Sequence, residues 1–235
     1  MNSERILKYH FSLDKLIGKI KLPKKIEWLY PYHASTTQRV MTEYYGQFYA
    51  DNLPRTLIFG INPGRFGAGL TGIPFTDPQQ LIDICDIKND FPKKPEISAK
   101  FIHSVIAGLG GLQKFNSQFY ISSLCPLGFV KNGINFNYYD DKLLEKRVTP
   151  FIVQNIGEQK KLVNANENCV FCLGEGKNYE YFSKLNDKHH FFNCIIPLSH
   201  PRWIMQYRRK MVKEYIESYI AKLNQSSTYN TRPFK

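Results

Sequence analysis

The segment Thr56–Pro78 (TLIFGINPGRFGAGLTGIPFTDP) constrains the fold more than any other part of the chain. It opens with the β-type run Thr56–Phe59, which is typical of a buried strand. A loop rich in glycine and proline follows, and Asp77-Pro78 with Gln80 then has the sequence of a capped helix N-terminus. A strand, a glycine-rich loop and a helix start predict the carboxyl edge of an open α/β sheet, where such folds bind ligands.

The glycines of this loop match a nucleotide-binding pattern only superficially. Gly67–Gly72 satisfies GxGxxG, but the dinucleotide fingerprint turns directly from strand into helix, whereas Pro74 interrupts any helix here. No Gly-Lys-Ser/Thr follows, which excludes a Walker phosphate loop. A third interpretation is that the glycines serve only tight turns. It does not explain why Asn62 and Phe75 stand at the two ends of the loop.

Both ends of the loop resemble a known family. Gly60–Gly64 (GINPG) and Thr71–Phe75 (TGIPF) resemble motif 1 of the uracil-DNA glycosylase superfamily, best in its single-strand-selective monofunctional branch and next best in its mismatch-specific branch. Leu198–Arg202 (LSHPR) resembles motif 2, and Ser122–Leu127 (SSLCPL) resembles the strand that carries the base-recognition residue of the family. The matches follow the order of the family and extend over most of the chain.

The resemblance implies a three-layer α/β fold, with a four-stranded parallel sheet flanked by helices on both faces. Strands that alternate with helices along the chain independently favour such a sheet. Asn62, Ser123 and His200 then follow three different strands, so that one cleft can hold all three. We expect a single glycosylase domain over residues 1–235, with a mobile tail at 225–235.

The resemblance also implies a role for each matched residue. Asn62 corresponds to the residue that positions water, His200 to the one that stabilises the leaving base, and Phe75 to the ring on which an extruded base stacks. The expected catalytic residues are therefore Asn62 and His200, and the expected base-binding residues are Ile61, Gly64, Phe75 and Ser123. Neither a metal nor a cofactor is expected.

Two departures from the family pattern affect specificity. Ser123 stands where the family has an asparagine, and a hydroxyl has fewer donor and acceptor sites than an amide. Motif 2 is also shortened, so the residue that fills the gap left by the flipped base is open among four candidates: Arg202, Trp203, Ile204 and Met205. The expected DNA-binding residues are Arg65, Arg202, Trp203 and Arg208.

The composition agrees with a nucleic-acid partner. Lys and Arg number 32 against 20 Asp and Glu, a net charge of +12, which favours a polyanion. The N-terminus does not resemble a signal peptide, no apolar run reaches membrane-spanning length, and the five scattered cysteines are typical of reduced thiols. These features predict a cytoplasmic monomer that acts on DNA, single- or double-stranded, without a membrane partner.

Several elements outside the motifs can also be predicted. Ser3 should cap a first helix, Ser35 to Gln38 should form a capping box, and Asp140 or Asp141 should cap a long helix. The remaining predictions are a connector over Lys19–Tyr32, a polar loop over Gly128–Tyr139 and one final helix over Ile204–Leu223.

Three functions compete. The leading hypothesis is a DNA glycosylase that removes uracil, with or without other deaminated bases, in the first step of base excision repair. It would be monofunctional, because no lysine stands in either motif to form a Schiff base. The alternatives are a non-catalytic nucleic-acid-binding module on the same fold and an enzyme that binds a nucleotide cofactor at the glycine loop.

Overall fold

The structure, a computed structural model, describes residues 1–226, so the predicted tail lies almost entirely outside the described residues. The strands, in chain order, are β1 (Ile26–Leu29), β2 (Thr56–Gly60), β3 (Phe119–Ser123), β4 (Gly128–Lys131), β5 (Ile134–Phe136), β6 (Val170–Leu173) and β7 (Ile195–Leu198). The helices are α1 (Asn2–Phe11), α2 (Asp14–Ile17), α3 (Ser35–Phe48), α4 (Ala68–Thr71), α5 (Pro78–Asp83), α6 (Ile97–Gly108), α7 (Leu112–Gln118), α8 (Lys142–Leu162), α9 (Lys177–His189), α10 (Pro201–Tyr207) and α11 (Val212–Asn224). Short 3-10 helices cover Tyr138–Asp140 and Arg209–Met211.

A four-stranded parallel sheet, in the order β3-β2-β6-β7, forms the centre of the molecule. The predicted α/β fold is confirmed, and helices flank the sheet. Every residue of β2 and of β6 is buried, because strands covered on both faces carry apolar side chains throughout. All four strands run in the same direction, so the segments that follow them emerge at one edge.

A second, antiparallel sheet was not predicted. β1 pairs with β4 and β4 with β5, so the supposed connector and the supposed polar loop both contain strands. Asn132 and Gly133 join β4 to β5 with φ angles of 51° and 69°, the left-handed geometry of a tight hairpin turn. Trp28 packs on Phe129, with ring centres 5.1 Å apart, so each segment covers apolar surface of the other.

The predicted final helix is broken. α10 ends at Tyr207, a 3-10 turn follows, and α11 begins at Val212. Arg208 interrupts the helical geometry with φ −131° and ψ 30°. Each segment contributes to the core, because Ile204 on α10 and Tyr219 on α11 are both buried.

Of the predicted helix caps, two are confirmed and two are wrong. Asp77 caps α5 through a complete capping box with Gln80, and Asp141 caps α8. Ser3 instead lies inside α1, which begins after Met1. The predicted box before α3 is also wrong, because Gln38 donates from its amide to the Tyr32 carbonyl oxygen rather than capping the helix.

Candidate active site

The ends of three parallel strands surround one cavity. Asn62 lies just beyond β2, Ser123 is the last residue of β3, and His200 lies just beyond β7. All three line a cavity of about 270 Å³ at the carboxyl edge of the sheet. Residues that are far apart in the sequence therefore meet at the position where open α/β sheets place their ligands.

Most of the predicted site residues line this cavity: Ile61, Asn62, Gly64, Phe75, Ser123, His200, Arg202 and Trp203. Arg65 and Arg208 do not. The backbone N–H of Arg65 donates to Asn135 Oδ1 at 3.0 Å, and its guanidinium lies 4.9 Å from the centre of the Phe66 ring. The Arg208 guanidinium lies 4.8 Å from the centre of the Trp203 ring, so it is connected to the cavity through that ring.

The Asn62 amide is held by the segment that follows β5. Its Nδ2 donates to the carbonyl oxygen of Phe136 at 3.2 Å, and its Oδ1 accepts from the backbone N–H of Tyr138 at 3.3 Å. These two partners fix which end of the amide is oxygen. A carbonyl oxygen has two lone pairs, so Oδ1 keeps one with which to hold a water molecule.

The His200 ring is held in one tautomer. His200 caps α10, and its Nδ1 accepts from the backbone N–H of Arg202 at 3.2 Å. The proton of the neutral ring therefore lies on Nε2. The pKa of His200 is lowered to about 4, mainly by burial in the cavity wall and secondly by the positive charge of Arg202. At neutral pH the ring is an uncharged donor.

Phe75 is held in an unusual backbone conformation. Its φ of 52° lies in the left-handed region, which costs free energy for a bulky residue and is found mostly at functional sites. The buried Thr71 hydroxyl supports the turn by donating to the Thr76 carbonyl oxygen at 2.7 Å. A methyl group at Gly60 would lie 3.6 Å from the Phe75 ring, so the ring lies against the end of β2.

Ser123 is anchored through its backbone and not through its side chain. Its carbonyl oxygen accepts from Gln159 Nε2 at 3.0 Å and from Asn155 Nδ2 at 3.3 Å. Within the described part of the chain, no hydrogen bond is made by its hydroxyl. That hydroxyl is therefore available to a molecule in the cavity.

Comparisons with known proteins show the family to which the chain belongs. A family model described as the uracil DNA glycosylase superfamily matches residues 47–224. The chain belongs to the uracil-DNA glycosylase superfamily. It is also similar to the crystal structure of wild-type SMUG2 from Pedobacter heparinus, with 40% sequence identity and a TM-score of 0.91. That match covers 97% of this chain and 98% of the other. No curated protein matches the chain.

The superfamily motifs do not contain every residue that lines the cavity. Motif-based analysis missed Glu96, Ser98, Asn135, Asn137, Tyr139, Gln206 and Tyr207. The two asparagines belong to the unpredicted hairpin and the segment after it, and the Asn132-Gly133 turn was the pattern that could have revealed that hairpin. Glu96 lies outside all of the family motifs.

The motif 2 side chains that are candidates to fill the gap left by a flipped base differ in how buried they are. Ile204 is fully buried, and Met205 packs against the core, so neither projects freely toward a partner. Trp203 is 38% exposed and lines the cavity mouth, and Tyr207, one helical turn later, is 66% exposed. Two aromatic rings on one face of α10 thus border the cavity.

Two other features are absent from the part of the chain that the structure describes. Among residues 1–226, no three His, Cys, Asp or Glu side chains are grouped to hold a metal ion. No helix in the same range has the length and apolar character needed to cross a membrane.

Proposed function

We propose that this member of the superfamily is a monofunctional DNA glycosylase that hydrolyses the N-glycosidic bond of uracil in DNA. The proposal rests on one observation. The same cavity is lined by a neutral His200 ring, which can donate a hydrogen bond, and by the Asn62 amide, whose orientation is fixed. Breaking this bond requires stabilisation of a base that leaves as an anion, and a water molecule placed beside the sugar. The two side chains supply one requirement each.

The chemistry follows from the state of each group. His200 Nε2–H donates to the uracil carbonyl oxygen on which negative charge develops, an electrostatic stabilisation that is strong in a water-poor site. Asn62 Oδ1 orients the water but is too weak a base to deprotonate it early. The glycosidic bond therefore breaks first, and the water adds to the sugar cation afterwards. Phe75 provides the ring on which the extruded base stacks.

The monofunctional assignment is supported by the lining of the cavity. A glycosylase that also cleaves the strand uses an amine to form a Schiff base with the sugar. No lysine is found among the lining residues that the structure describes. The cavity volume of about 270 Å³ also suits one base better than a dinucleotide cofactor, since sites for drug-sized ligands begin at about 300 Å³.

DNA binding is supported by paired cations and aromatic rings near the cavity. Arg208 lies over Trp203, Lys177 lies 5.9 Å from the Tyr139 ring, and Lys94 lies 5.4 Å from the Phe66 ring. Cations that contact phosphates and rings that stack on bases are the combination by which proteins hold single strands. We propose Trp203 as the side chain that enters the gap left by the flipped base.

An oligonucleotide with one uracil tests this function. The purified chain should release uracil and leave an intact abasic strand, which breaks only after alkali. Strand cleavage without alkali would refute the monofunctional assignment. Equal binding of uracil-containing and normal DNA without base release would instead favour a non-catalytic binding module.

A further inference from the structure

Glu96 is a cavity group that the proposed chemistry does not use. It lies just before α6 and lines the same cavity as Asn62 and His200. Its Oε2 is fully buried and has no hydrogen-bond partner among the described residues. A buried polar atom without a partner costs free energy, so in a native structure it calls for an explanation.

The position of Glu96 is fixed from two sides. Its backbone N–H donates to Asp77 Oδ2 at 2.9 Å, which ties it to the cap of α5. Its carboxyl group rests against Gly67, where an added methyl group would lie 1.9 Å from Oε2. Oε1 is not enclosed in the same way, so it is the oxygen through which Glu96, a cavity-lining residue, can reach a bound molecule.

The surroundings of Glu96 favour its neutral form. Burial raises the pKa of the carboxyl group to about 7; nearby Arg202 opposes the rise and Asp77 adds to it. Below that pH the group is a carboxylic acid, and its proton can lie on the accessible Oε1. A neutral acid in an enzyme site donates a hydrogen bond, whereas a carboxylate would repel an anion formed beside it.

We propose that Glu96 is a further base-binding residue, whose neutral carboxyl group donates a hydrogen bond from Oε1 to a carbonyl oxygen of the extruded base. The inference rests on the proposed glycosylase function and deepens it. Glu96 retains its proton throughout, so the bond strengthens as the base becomes an anion but no proton is transferred. The chemical class of ligand is a base with a carbonyl group, which uracil shares with other deaminated bases.

Three variants separate this role from a structural one. Glu96→Gln keeps the shape and can donate from its amide at any pH, whereas Glu96→Ala removes the donor. Glu217→Gln, an exposed position on α11, is the matched control for the loss of one acidic group. Single-turnover release of uracil is measured from pH 5.5 to 8.5, together with binding of abasic product DNA and the urea unfolding midpoint.

We expect the wild-type rate to fall as the pH rises through about 7, while Glu96→Gln keeps a rate that is nearly independent of pH. Glu96→Ala should be about 10- to 100-fold slower than wild type at pH 6, since one hydrogen bond to a developing charge is lost. Affinity for the abasic product should change less than about twofold, and Glu217→Gln should behave as wild type. Glu96→Gln folds even if Glu96→Ala does not, because its shape is unchanged.

Two results would overturn the inference while leaving the glycosylase function intact. One is an active wild type with a Glu96→Gln variant that keeps the same pH dependence. The other is a loss of product-DNA affinity in Glu96→Ala as large as its loss of rate, which would assign Glu96 to the placement of Arg202. A wild-type chain that releases no base from any oligonucleotide would refute the function and the inference together.

Discussion

At the scale of single residues, the proposed mechanism assigns the water to Asn62 and the leaving base to His200. Replacing either by Ala should lower the single-turnover rate of uracil release by about 100- to 1000-fold, the usual cost of one well-placed group of this kind. Because the pKa of His200 is about 4, the defect of His200→Ala should be the same from pH 5.5 to 8. Affinity for uracil-containing DNA should fall much less than the rate.

The exposed His189 on α9 offers a control, and His189→Ala should retain the full rate. A near-normal rate in His200→Ala would show that a different histidine stabilises the base. His103 would then be the next candidate, since its ring lies beside Thr76, directly after Phe75.

In the proposed function, Ser123 is the residue expected to determine how strictly the base is read. Its hydroxyl makes no bond within the described part of the chain, and it offers fewer hydrogen-bonding positions than an amide. Ser123→Asn should therefore raise the preference for uracil over hypoxanthine by about tenfold, the value of one additional hydrogen bond. The ratio of single-turnover rates on the two bases measures this change. An unchanged ratio, in a wild type that already rejects hypoxanthine, would show that Ser123 does not read the base.

At the scale of elements, the sequence predicted what depends on local patterns and missed what depends on distant partners. The run that forms β2 and the cap at Asp77 were predictable because their determinants are adjacent in the chain. β1 was missed because it is short and becomes regular only when it pairs with the distant β4, whereas the β4-β5 hairpin is local and its turn was overlooked. The same distinction applies to the residues of the site. The family motifs predicted Asn62 and His200, whereas Glu96 lies beside them only because of the fold.

The hairpin also changes how Asn62 is understood. The motif alone predicts an amide that positions water, but it does not say what holds the amide. The partners of Asn62 are the Phe136 carbonyl oxygen and the Tyr138 backbone N–H, which lie in the segment predicted from the sequence to be a polar loop. The antiparallel sheet thus supports the active-site geometry as well as the core.

Asp77 joins two elements around the cavity. Its Oδ1 accepts from the backbone N–H groups of Gln79 and Gln80, and its Oδ2 accepts from that of Glu96. Asp77→Ala should therefore lower the free energy of unfolding by about 2 kcal/mol, the upper range for the loss of a helix cap. Asp77→Asn should keep the cap but lose the bond to Glu96, because an amide nitrogen cannot accept.

Urea unfolding measures both losses, and Asp83→Ala at the exposed end of the same helix is the control. If Asp77→Asn and Asp77→Ala were equally destabilised, the cap would contribute nothing and the bond to Glu96 would account for the whole effect. Equal stability of Asp77→Asn and wild type would show that the bond to Glu96 contributes nothing.

At the scale of the whole molecule, the position of the positive residues matters as well as the net charge of +12. Arg202 lines the cavity, Arg208 lies over Trp203, and Arg209 and Lys210 follow in the turn between α10 and α11. Positive charge is therefore placed beside the opening through which a flipped base would enter. A DNA backbone that crosses this opening would meet cations at the point where the duplex must be distorted.

This arrangement predicts how DNA binding responds to salt. Each phosphate contact adds about one to the slope of log affinity against log salt concentration, so Arg208→Ala and Lys210→Ala should each reduce that slope by about one. Lys114→Ala is the matched control, because α7 leads into the amino end of β3, at the opposite edge of the sheet. The slopes are obtained from affinities for one oligonucleotide, measured by fluorescence anisotropy at several salt concentrations between about 50 and 200 mM. Equal slopes for Lys114→Ala and Arg208→Ala would mean that the general charge of the chain, and not this surface, binds the DNA.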